Sequence, residues 1–387
     1  MRCDLTRRRL GRWAGAAALA PWLASCGGGG SGDSGVFVLP ATATSREDGY
    51  LKAVQDISAT YHPPGILAGV RVAGEAPWIR AFGLSDVARA APMALNSTFP
   101  VRSVTKSFTV TLLLQLVQSR QLALEHKIGR YIAGVPNGQL IDLADLAGNQ
   151  SGLADYSMQP GFLDIFVKDL LHVWTPQELV AFSFAVKPAF LPGEQYQYSN
   201  TNTVLLGMVV EAVTGQSLGD ALAARIFNPL GLRGTRYPSS AELPPPTPTP
   251  YAVDVATGVA EDLPPISPTS LAGSGAIAST LADLLVWGDA LGRGSLLDAA
   301  LQDLRKSRAR AVTNGPEYDR YGLGIGQIGN WWGHTGSGVG FQIATMNLAS
   351  RNATISVMVN ATPEGSRRDL NLAQELFEKL AAVVESA

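Results

Sequence analysis

The chain has 387 residues, of which 46% are hydrophobic, and its 30 basic against 32 acidic side chains give a net charge of -2. This composition is ample for a buried core and excludes a disordered or fibrous protein, while the near balance of charge argues against nucleic acid as a partner. The two cysteines and four histidines show none of the spacings of a zinc site, so we expect no metal, no cofactor and no disulfide framework.

Residues 1–25 have the pattern of an export signal. Arg7, Arg8 and Arg9 precede a short apolar stretch from Trp13 to Leu23, and the sequence L-A-S-C ends at Cys26. The arginine run resembles a twin-arginine signal, and L-A-S-C resembles the lipobox of bacterial lipoproteins, whose cysteine is acylated. A membrane-spanning anchor is the alternative, but the apolar stretch is shorter than the about 20 residues that a spanning helix needs. We therefore expect an exported protein, periplasmic or at the cell surface, held on a bacterial membrane by a lipid on Cys26.

A glycine-rich run, G-G-G-G-S-G, follows Cys26 and predicts a flexible tether over residues 26–44. The folded domain is then expected over 45–387. Its first elements are a helix at 46–61, where apolar residues recur at helical spacing, and a β-hairpin formed by two short apolar runs bounded by glycine or proline. Those two runs are Ile66 to Val72 and Trp78 to Phe82.

The middle of the chain is predicted to be mostly helical, with proline-rich loops between the helices. The helical spacing covers 108–117, the region around 165–185, 203–226 and 278–292.

Strands return near the end of the chain, and an amphipathic helix is predicted at about 369–384. The predicted strands are 321–328, 340–348 and 354–359. We therefore expect an α+β fold, in which an antiparallel sheet flanked by helices is built from both chain ends and carries an inserted, mostly helical domain. The sheet part is placed at about 45–105 and 315–387, and the helical part at about 106–314.

The first motif with chemical meaning is S-V-T-K at 103–106, directly before an apolar helix. A spacing of three on a helix puts Ser103 and Lys106 on one face, close enough for the amine to take the serine proton. Alternatively, Ser103 caps the helix and Lys106 is a solvated residue of its first turn. Lys106 is the only lysine in the chain with a serine three residues before it.

Two further motifs follow in chain order. In Y-S-N at 198–200, an extended backbone would project Tyr198 and Asn200 to the same side of a cleft, although an ordinary turn has the same composition. In H-T-G-S at 334–337, a glycine between hydroxyl residues on an edge strand would let a substrate backbone approach and would offer an N–H group to an oxyanion. A tight turn between strands is the alternative.

Together the three motifs resemble the serine β-lactamase and penicillin-binding protein superfamily, whose signatures are SxxK, then YxN or SxN, then KTG or HTG. The resemblance extends over about 45–380. The tyrosine of the second motif points to the branch of class C β-lactamases, D,D-carboxypeptidases and family VIII esterases, and the histidine of the third resembles the carboxypeptidases and esterases most. One departure is N-Q-S-G-L at 149–153, where the family often has H-T-S-G-L. We interpret this change as structural.

The resemblance implies a role for each matching residue. Ser103 is the acylated nucleophile, and Lys106 with Tyr198 forms the proton-transfer pair, which requires a lowered pKa for the lysine as base and for the tyrosine as phenolate. Asn200 holds the substrate amide and orients Lys106.

The third motif is implied to bind the reacting carbonyl and the end of the substrate. The oxyanion hole consists of the backbone N–H groups of Ser103 and Ser337, and Gly336 allows the close approach. His334 and Thr335 contact the substrate's carboxylate or leaving group. Because the reference pKa of histidine is about 6.5, any help that His334 gives to an anionic substrate is expected to fade as the pH rises through that range.

A competing pattern, G-Q-S-L-G at 215–219, matches the GxSxG elbow of α/β-hydrolases and would make Ser217 the nucleophile. That elbow needs a strand before the serine. The preceding segment instead has the length of a helix ending at Gly215, and Ser217 followed by Asp220 resembles a helix N-cap.

We therefore expect an exported serine hydrolase that acts through an acyl-enzyme, foremost a D-alanyl-D-alanine carboxypeptidase. The alternatives are a carboxylic ester hydrolase of the family VIII type and a class C-like β-lactamase. A non-catalytic penicillin-binding sensor is disfavoured because no transmembrane output is recognised, and a pseudoenzyme because every motif residue is present. The partners expected are a small-molecule or peptide substrate and, through the lipid, a membrane, with the protein itself a monomer.

Overall fold

The computed structural model describes residues 45–313 and 318–386. The predicted export signal, the tether and Cys26 lie outside the described residues and stay predictions. The described helices are α1 (Ser45–Tyr61), α2 (Val104–Gln118), α3 (Leu143–Ala147), α4 (Pro160–Phe166), α5 (Pro176–Phe184), α6 (Asn200–Thr214), α7 (Leu218–Leu222), α8 (Asn228–Leu230), α9 (Leu281–Arg293), α10 (Ala299–Ser307) and α11 (Leu372–Glu385). Among the described helices, none is long and apolar enough to cross a membrane.

The described strands lie mainly in the two ends of the chain. They are β1 (Gly65–Val72), β2 (Trp78–Asp86), β3 (Ala91–Pro92), β4 (Phe99–Pro100), β5 (Tyr251–Val253), β6 (Ala260–Asp262), β7 (Ala278–Ser279), β8 (Arg310–Ala311), β9 (Arg320–Tyr321), β10 (Gly326–Ile328), β11 (Trp331–Gly338), β12 (Phe341–Leu348), β13 (Ala353–Val359) and β14 (Ala361–Pro363). Nine of them form one sheet in the order β3-β2-β1-β13-β12-β11-β10-β9-β8.

Every pairing in this sheet is antiparallel, and strands from the start of the chain lie beside strands from its end. β1 pairs with β2 on one side and with β13 on the other, so that Val70 lies opposite Ile355. This arrangement confirms the predicted α+β fold with an antiparallel sheet built from both chain ends. All seven residues of β13 are buried. Since successive side chains of a strand point to opposite faces, both faces of the sheet must be covered at this strand.

The alternation of side chains along the strands divides the interior into two cores. In β13, Ile355 and Val357 pack with α1 and α11, whereas Met358 belongs to the core on the opposite face. That second core contains Phe108 of α2 and Trp287 of α9, whose rings are stacked with centroids 3.7 Å apart. α2, which begins beside the S-V-T-K motif, is thus held between the sheet and the helices of the middle segment.

The middle of the chain is less purely helical than predicted. The region around 165–185 forms two helices, α4 and α5, because Pro176 opens a new helix with Thr175 as its N-cap. The strands β5 and β6, which the sequence patterns do not predict, pair with each other, and β5 also pairs in parallel with β14 near the end of the chain.

Helix α9 also departs from the predicted division, because it packs on the sheet although it lies in the part assigned to the helical domain. Gly288 and Gly292 permit this close approach. A Cβ atom on Gly288 would lie 2.5 Å from the hydroxyl of Thr345, and one on Gly292 would lie 2.4 Å from Cβ of Asn347.

Candidate active site

The start of α2 positions the first two residues of the site. Ser103 occupies the N-cap position, but its backbone is helical (φ -62°, ψ -12°) and its side chain makes no capping hydrogen bond. Its hydroxyl instead accepts a hydrogen bond of 3.0 Å from Nζ of Lys106, one turn further on. Lys106 is 0% exposed. Both of the ordinary interpretations, a capping serine and a solvated lysine, are therefore wrong.

The ammonium group of Lys106 has three acceptors for its three protons. Besides Ser103, Nζ donates to Oδ1 of Asn200 at 2.7 Å and to the carbonyl oxygen of Ser274 at 2.9 Å. Burial lowers the pKa of Lys106 to about 7, against the opposing effect of Asp155. When Lys106 is neutral, its two remaining N–H groups can keep Asn200 and Ser274, and its lone pair then faces Ser103. This geometry makes Lys106 a base for the serine proton.

Tyr198 approaches the same oxygen from the second motif. Its hydroxyl donates to Oγ of Ser103 at 2.7 Å, and Nζ of Lys106 lies 4.8 Å from the centroid of its ring. Burial raises the pKa of Tyr198 well above its ordinary value, with the bond to Ser103 a smaller effect in the other direction. The expectation of a tyrosinate is therefore wrong for the free site. Tyr198 is a neutral donor, and Lys106 alone of the pair is poised to accept a proton.

Asn200, the first residue of α6, turns its amide group in a defined direction. Its Oδ1 faces Lys106, as the predicted orienting role requires. Its Nδ2 donates to Oδ2 of Asp155 at 3.0 Å and to Oγ of Ser157 at 3.2 Å. The two amide protons are thus already bound within the chain, so the other predicted role, holding the substrate amide, would require one of these bonds to open.

The segment 149–153 supports α6 from behind. Oδ1 of Asn149 accepts from Nδ2 of Asn202 at 2.9 Å, and the hydroxyl of Ser151 donates to Oδ1 of Asn202 at 2.6 Å. The backbone N–H of Gln197 also donates to the carbonyl oxygen of Asn149. These buried bonds hold the second motif in place and give Asn149 a structural role.

The third motif lies on β11, which is an interior strand and not the predicted edge strand. β10 covers β11 only as far as Gly333, while residues 334–338 pair with β12 alone among the described strands. The motif therefore has an open side that faces the start of α2. A Cβ atom on Gly336 would lie 3.0 Å from the backbone nitrogen of Ser103 and 2.4 Å from the carbonyl oxygen of Val101. Only glycine allows this contact between β11 and the start of α2.

His334 is held inside the protein rather than towards a substrate. Its Nδ1 lies 2.6 Å from the carbonyl oxygen of Thr335 and must carry the hydrogen, since a carbonyl only accepts. Nε2 then accepts from the hydroxyl of Tyr321 at 3.0 Å. Burial lowers the pKa of His334 to about 3, so the side chain is neutral across the physiological range. The expected loss of its charge between about pH 6 and 7 is therefore wrong.

Tyr318 completes the support of the third motif. Its hydroxyl accepts from the backbone N–H of Thr335 at 2.7 Å and lies 2.8 Å from the side-chain oxygen of the same residue. The sequence patterns did not single out Tyr318, nor did they single out Asp155, Ser157 or Ser274. Each is separated in the sequence from the motif that it contacts, by 17 residues for Tyr318 and by more than 40 for the other three. No local pattern therefore marks them.

Arg102, a cation close to the third motif, already hydrogen-bonds to backbone carbonyl groups. Arg102 is 6% exposed, and its guanidinium donates to the carbonyl oxygens of Gly338 and Val339 at 3.0 and 3.1 Å. Arg102 therefore ties the end of β11 to the residue before the nucleophile. No group of three acidic, histidine or cysteine side chains that could hold a metal ion occurs among the residues described.

The competing serine lies between two helices. Gly215 ends α6 in the left-handed conformation (φ 67°), and the hydroxyl of Ser217 accepts from the backbone N–H of Asp220 as the N-cap of α7. A strand–turn–helix elbow is therefore absent at this position, and the predicted C-cap and N-cap are confirmed.

Comparison with known proteins agrees with this geometry. The family model described as Beta-lactamase matches residues 51–378. A D-aminopeptidase of Brucella anthropi is 31% identical over 246 residues, which are 60% of this chain but only 44% of that protein. This chain thus spans less than half the length of that relative.

Two solved structures have the same fold over most of the chain. A D-stereospecific amidohydrolase from Streptomyces sp. is 28% identical, with a TM-score of 0.73 over 86% of this chain and 97% of that one. The D-amino acid amidase from Ochrobactrum anthropi SV3 is 24% identical, with a TM-score of 0.79 over 89% of this chain and 99% of the other, a likeness of fold alone.

Proposed function

The chain belongs to the beta-lactamase family and is a serine hydrolase. We propose that its substrates are D-amino acid amides, and that the amine released from the amide is one that carries no carboxylate. The observation that carries this proposal is the neutral, buried His334 in the third motif. The preference for the D configuration is supported by the two relatives described as a D-aminopeptidase and a D-stereospecific amidohydrolase. The chain spans 44% of the length of that D-aminopeptidase.

The proposed reaction follows from the bonds around Ser103. Neutral Lys106 takes the proton of the Ser103 hydroxyl while Oγ attacks the amide carbon, and the N–H groups of Ser103 and Ser337 hold the oxyanion. The C–N bond then breaks, and the leaving amine receives the proton of Lys106 by way of the Tyr198 hydroxyl, which shares Oγ with it. Water hydrolyses the resulting ester in the reverse sense and restores Ser103.

The D-alanyl-D-alanine carboxypeptidase function requires recognition of a terminal carboxylate. His334 supplies no charge for it, and the guanidinium of Arg102 is buried and bound to two carbonyl oxygens. A carboxylate bound beside these two residues would lose hydration without gaining an ion pair from either of them. We therefore place carboxypeptidase activity behind D-amide hydrolysis. The second candidate is ester hydrolysis, which the same neutral motif favours, and β-lactam hydrolysis comes third.

A substrate screen tests the proposal. Residues 45–387 would be assayed with D- and L-phenylalanine amide, with a D-alanyl-D-alanine peptide and its C-terminal amide, with a short-chain ester and with a cephalosporin. We expect kcat/KM for the D-amide to exceed that for the L-amide about tenfold or more, and the peptide amide to exceed the free peptide. Ser103→Ala is the inactive control. A free peptide that is cleaved faster than its amide would contradict the proposal and restore the carboxypeptidase.

We also propose that the chain is exported and anchored by a lipid on Cys26, as the L-A-S-C pattern supports. Mass spectrometry of protein from a bacterial host should find an acylated Cys26 at the N-terminus in the membrane fraction, while Cys26→Ser stays unlipidated. Recovery of soluble, unmodified wild-type protein would contradict the anchor. A monomeric state stays a prediction, which sedimentation of the soluble domain would test.

A further inference from the structure

Asp155 places a carboxylate behind the second motif, in the loop that leads into the short helix Tyr156–Met158. Its Oδ1 accepts from the backbone N–H and the hydroxyl of Ser157, at 2.9 and 2.8 Å. Its Oδ2 accepts from the backbone N–H and from Nδ2 of Asn200, at 3.2 and 3.0 Å. One carboxylate thus joins the 155–157 turn to the first residue of α6.

These bonds decide which way the Asn200 amide points. With Nδ2 between the acceptors Asp155 and Ser157, Oδ1 faces Nζ of Lys106 at 2.7 Å. A flip of the amide would place its oxygen against the carboxylate and its N–H groups against an ammonium. Each of these contacts replaces a hydrogen bond with a repulsion, which is costly for part-buried groups.

The same carboxylate acts on Lys106 through its charge. Burial lowers the pKa of Lys106, and the negative charge of Asp155 opposes that shift. The other groups that face Lys106 are uncharged: the Ser103 hydroxyl, the Asn200 amide, the Ser274 carbonyl and the Tyr198 phenol. His334, on the neighbouring strand, is also neutral.

We propose that Asp155 is a positioning residue for the acylation of Ser103, which holds the Asn200 amide with its oxygen towards Lys106 and sets a negative charge behind the base. Asp155 acts through Asn200 and Lys106 and does not itself touch the reacting atoms. The proposal rests on the Ser103–Lys106 chemistry of the proposed function and not on the D-amide as substrate.

The test measures the rate at which a fluorophosphonate labels Ser103 between pH 5 and 9. In the wild type the rate should rise as Lys106 loses its proton, with a midpoint near pH 7, since the pKa of Lys106 is about 7. Asp155→Asn removes the charge but keeps an oxygen for Asn200. We expect its midpoint to fall by about 0.5 to 1 pH unit, because the charge that favours the ammonium is gone, with a small change in the plateau rate.

Further variants separate orientation from charge. Asp155→Ala removes both the charge and the hydrogen bonds to Asn200. Its midpoint should therefore fall as far as that of Asp155→Asn, and its plateau labelling rate should fall about 10- to 100-fold because the Asn200 amide is released. Asp155→Glu keeps the charge and should keep the wild-type midpoint. Ser157→Ala removes two hydrogen bonds, the one its hydroxyl donates to Asp155 and the one it accepts from Asn200, without a change of charge. Its plateau rate should therefore fall while its midpoint stays.

Asp164→Asn is the matched control, because it removes an equal charge from an exposed position in α4, near Asp155 in the sequence. Its pH profile should match the wild type. If circular dichroism shows that Asp155→Asn does not fold, Asp155→Ser replaces it as the uncharged variant whose midpoint is measured. A midpoint for the neutral variant equal to the wild type overturns the proposal, because a purely structural role would lower the rate without moving the profile.

The outcome is separable from that of the substrate screen. Normal labelling of Ser103 together with no turnover of D-amides would overturn the proposed substrate and leave the role of Asp155 intact. Absence of labelling at Ser103 in the wild type would overturn the nucleophile and this inference with it.

Discussion

Burial has opposite consequences for the two groups that share the oxygen of Ser103. The neutral form of a lysine is the deprotonated one, so burial lowers the pKa of Lys106, whereas the neutral form of a tyrosine is protonated, so burial raises the pKa of Tyr198. Burial in one site therefore produces a base and a donor on the same hydroxyl. The distances of 3.0 and 2.7 Å to Ser103 show that both are already in contact with it.

The two candidate nucleophiles can be distinguished by single substitutions. Ser103→Ala should abolish both turnover and labelling by a fluorophosphonate. Ser217→Ala should leave turnover nearly intact but lower the free energy of unfolding by about 1 kcal/mol, because Ser217 is the N-cap of α7. Intact-mass spectrometry and urea unfolding measure the two effects. Label recovered on Ser217 would refute the assignment of the site.

At the scale of elements, the site depends on the contact between β11 and the start of α2. Four hydrogen-bonded or packed groups hold β11 in place: Tyr318, Tyr321, Arg102 and Asn371, whose Nδ2 lies 3.4 Å from the carbonyl oxygen of Gly336. None of these groups is adjacent to β11 in the sequence. The strand can therefore end its pairing with β10 at Gly333 and still present an ordered, open backbone to the nucleophile.

Gly336→Ala tests this contact. The added methyl group would meet the backbone at Val101 and Ser103, which cannot move aside as a flexible side chain can. We expect the labelling rate of Ser103 to fall about tenfold or more and stability to fall by about 1 to 3 kcal/mol. Ser337→Ala is the control, since it removes an exposed hydroxyl but keeps the backbone N–H, and its labelling rate should stay close to that of the wild type. Wild-type labelling by Gly336→Ala would contradict the contact.

At the scale of the whole molecule, the buried His334 links stability to pH. Its pKa is about 3 in the folded chain and about 6.5 when unfolded, so between these values the unfolded chain binds the extra proton. The stabilisation is complete above about pH 6.5 and is lost as the pH falls towards 3. For one proton, the free energy of unfolding then falls by up to about 1.4 kcal/mol per pH unit.

We expect the free energy of unfolding of the wild type to fall by about 2 kcal/mol more than that of His334→Asn between pH 6.5 and 4.5. Asp145, whose pKa burial raises to about 6, titrates in this range in both proteins and cancels in the comparison. His62→Asn, at an exposed position, should follow the wild type. Urea unfolding at several pH values gives the slopes, and equal slopes for wild type and His334→Asn would show that His334 is not buried neutral.

Much of the site is determined by local sequence. The spacing of Ser103 and Lys106 places them on one turn of a helix whatever the rest of the fold does, and the residues after Gly215 favour a cap over an elbow for Ser217. Periodicity likewise predicts α1, the β1–β2 hairpin and α11. The placement of predicted strands at both chain ends, with helices between them, was enough to predict the sheet built from both ends.

The sequence by itself therefore determined the three motifs and the family that they indicate, because each of those signals lies within a few neighbouring residues. Only the tertiary structure decided the protonation of Lys106, Tyr198 and His334, since a pKa depends on how much water and charge surround a group. It also decided the role of Asp155, which is 45 residues from Asn200. Hydrogen bonds at such separations form only after packing brings distant segments together, and no local pattern encodes them.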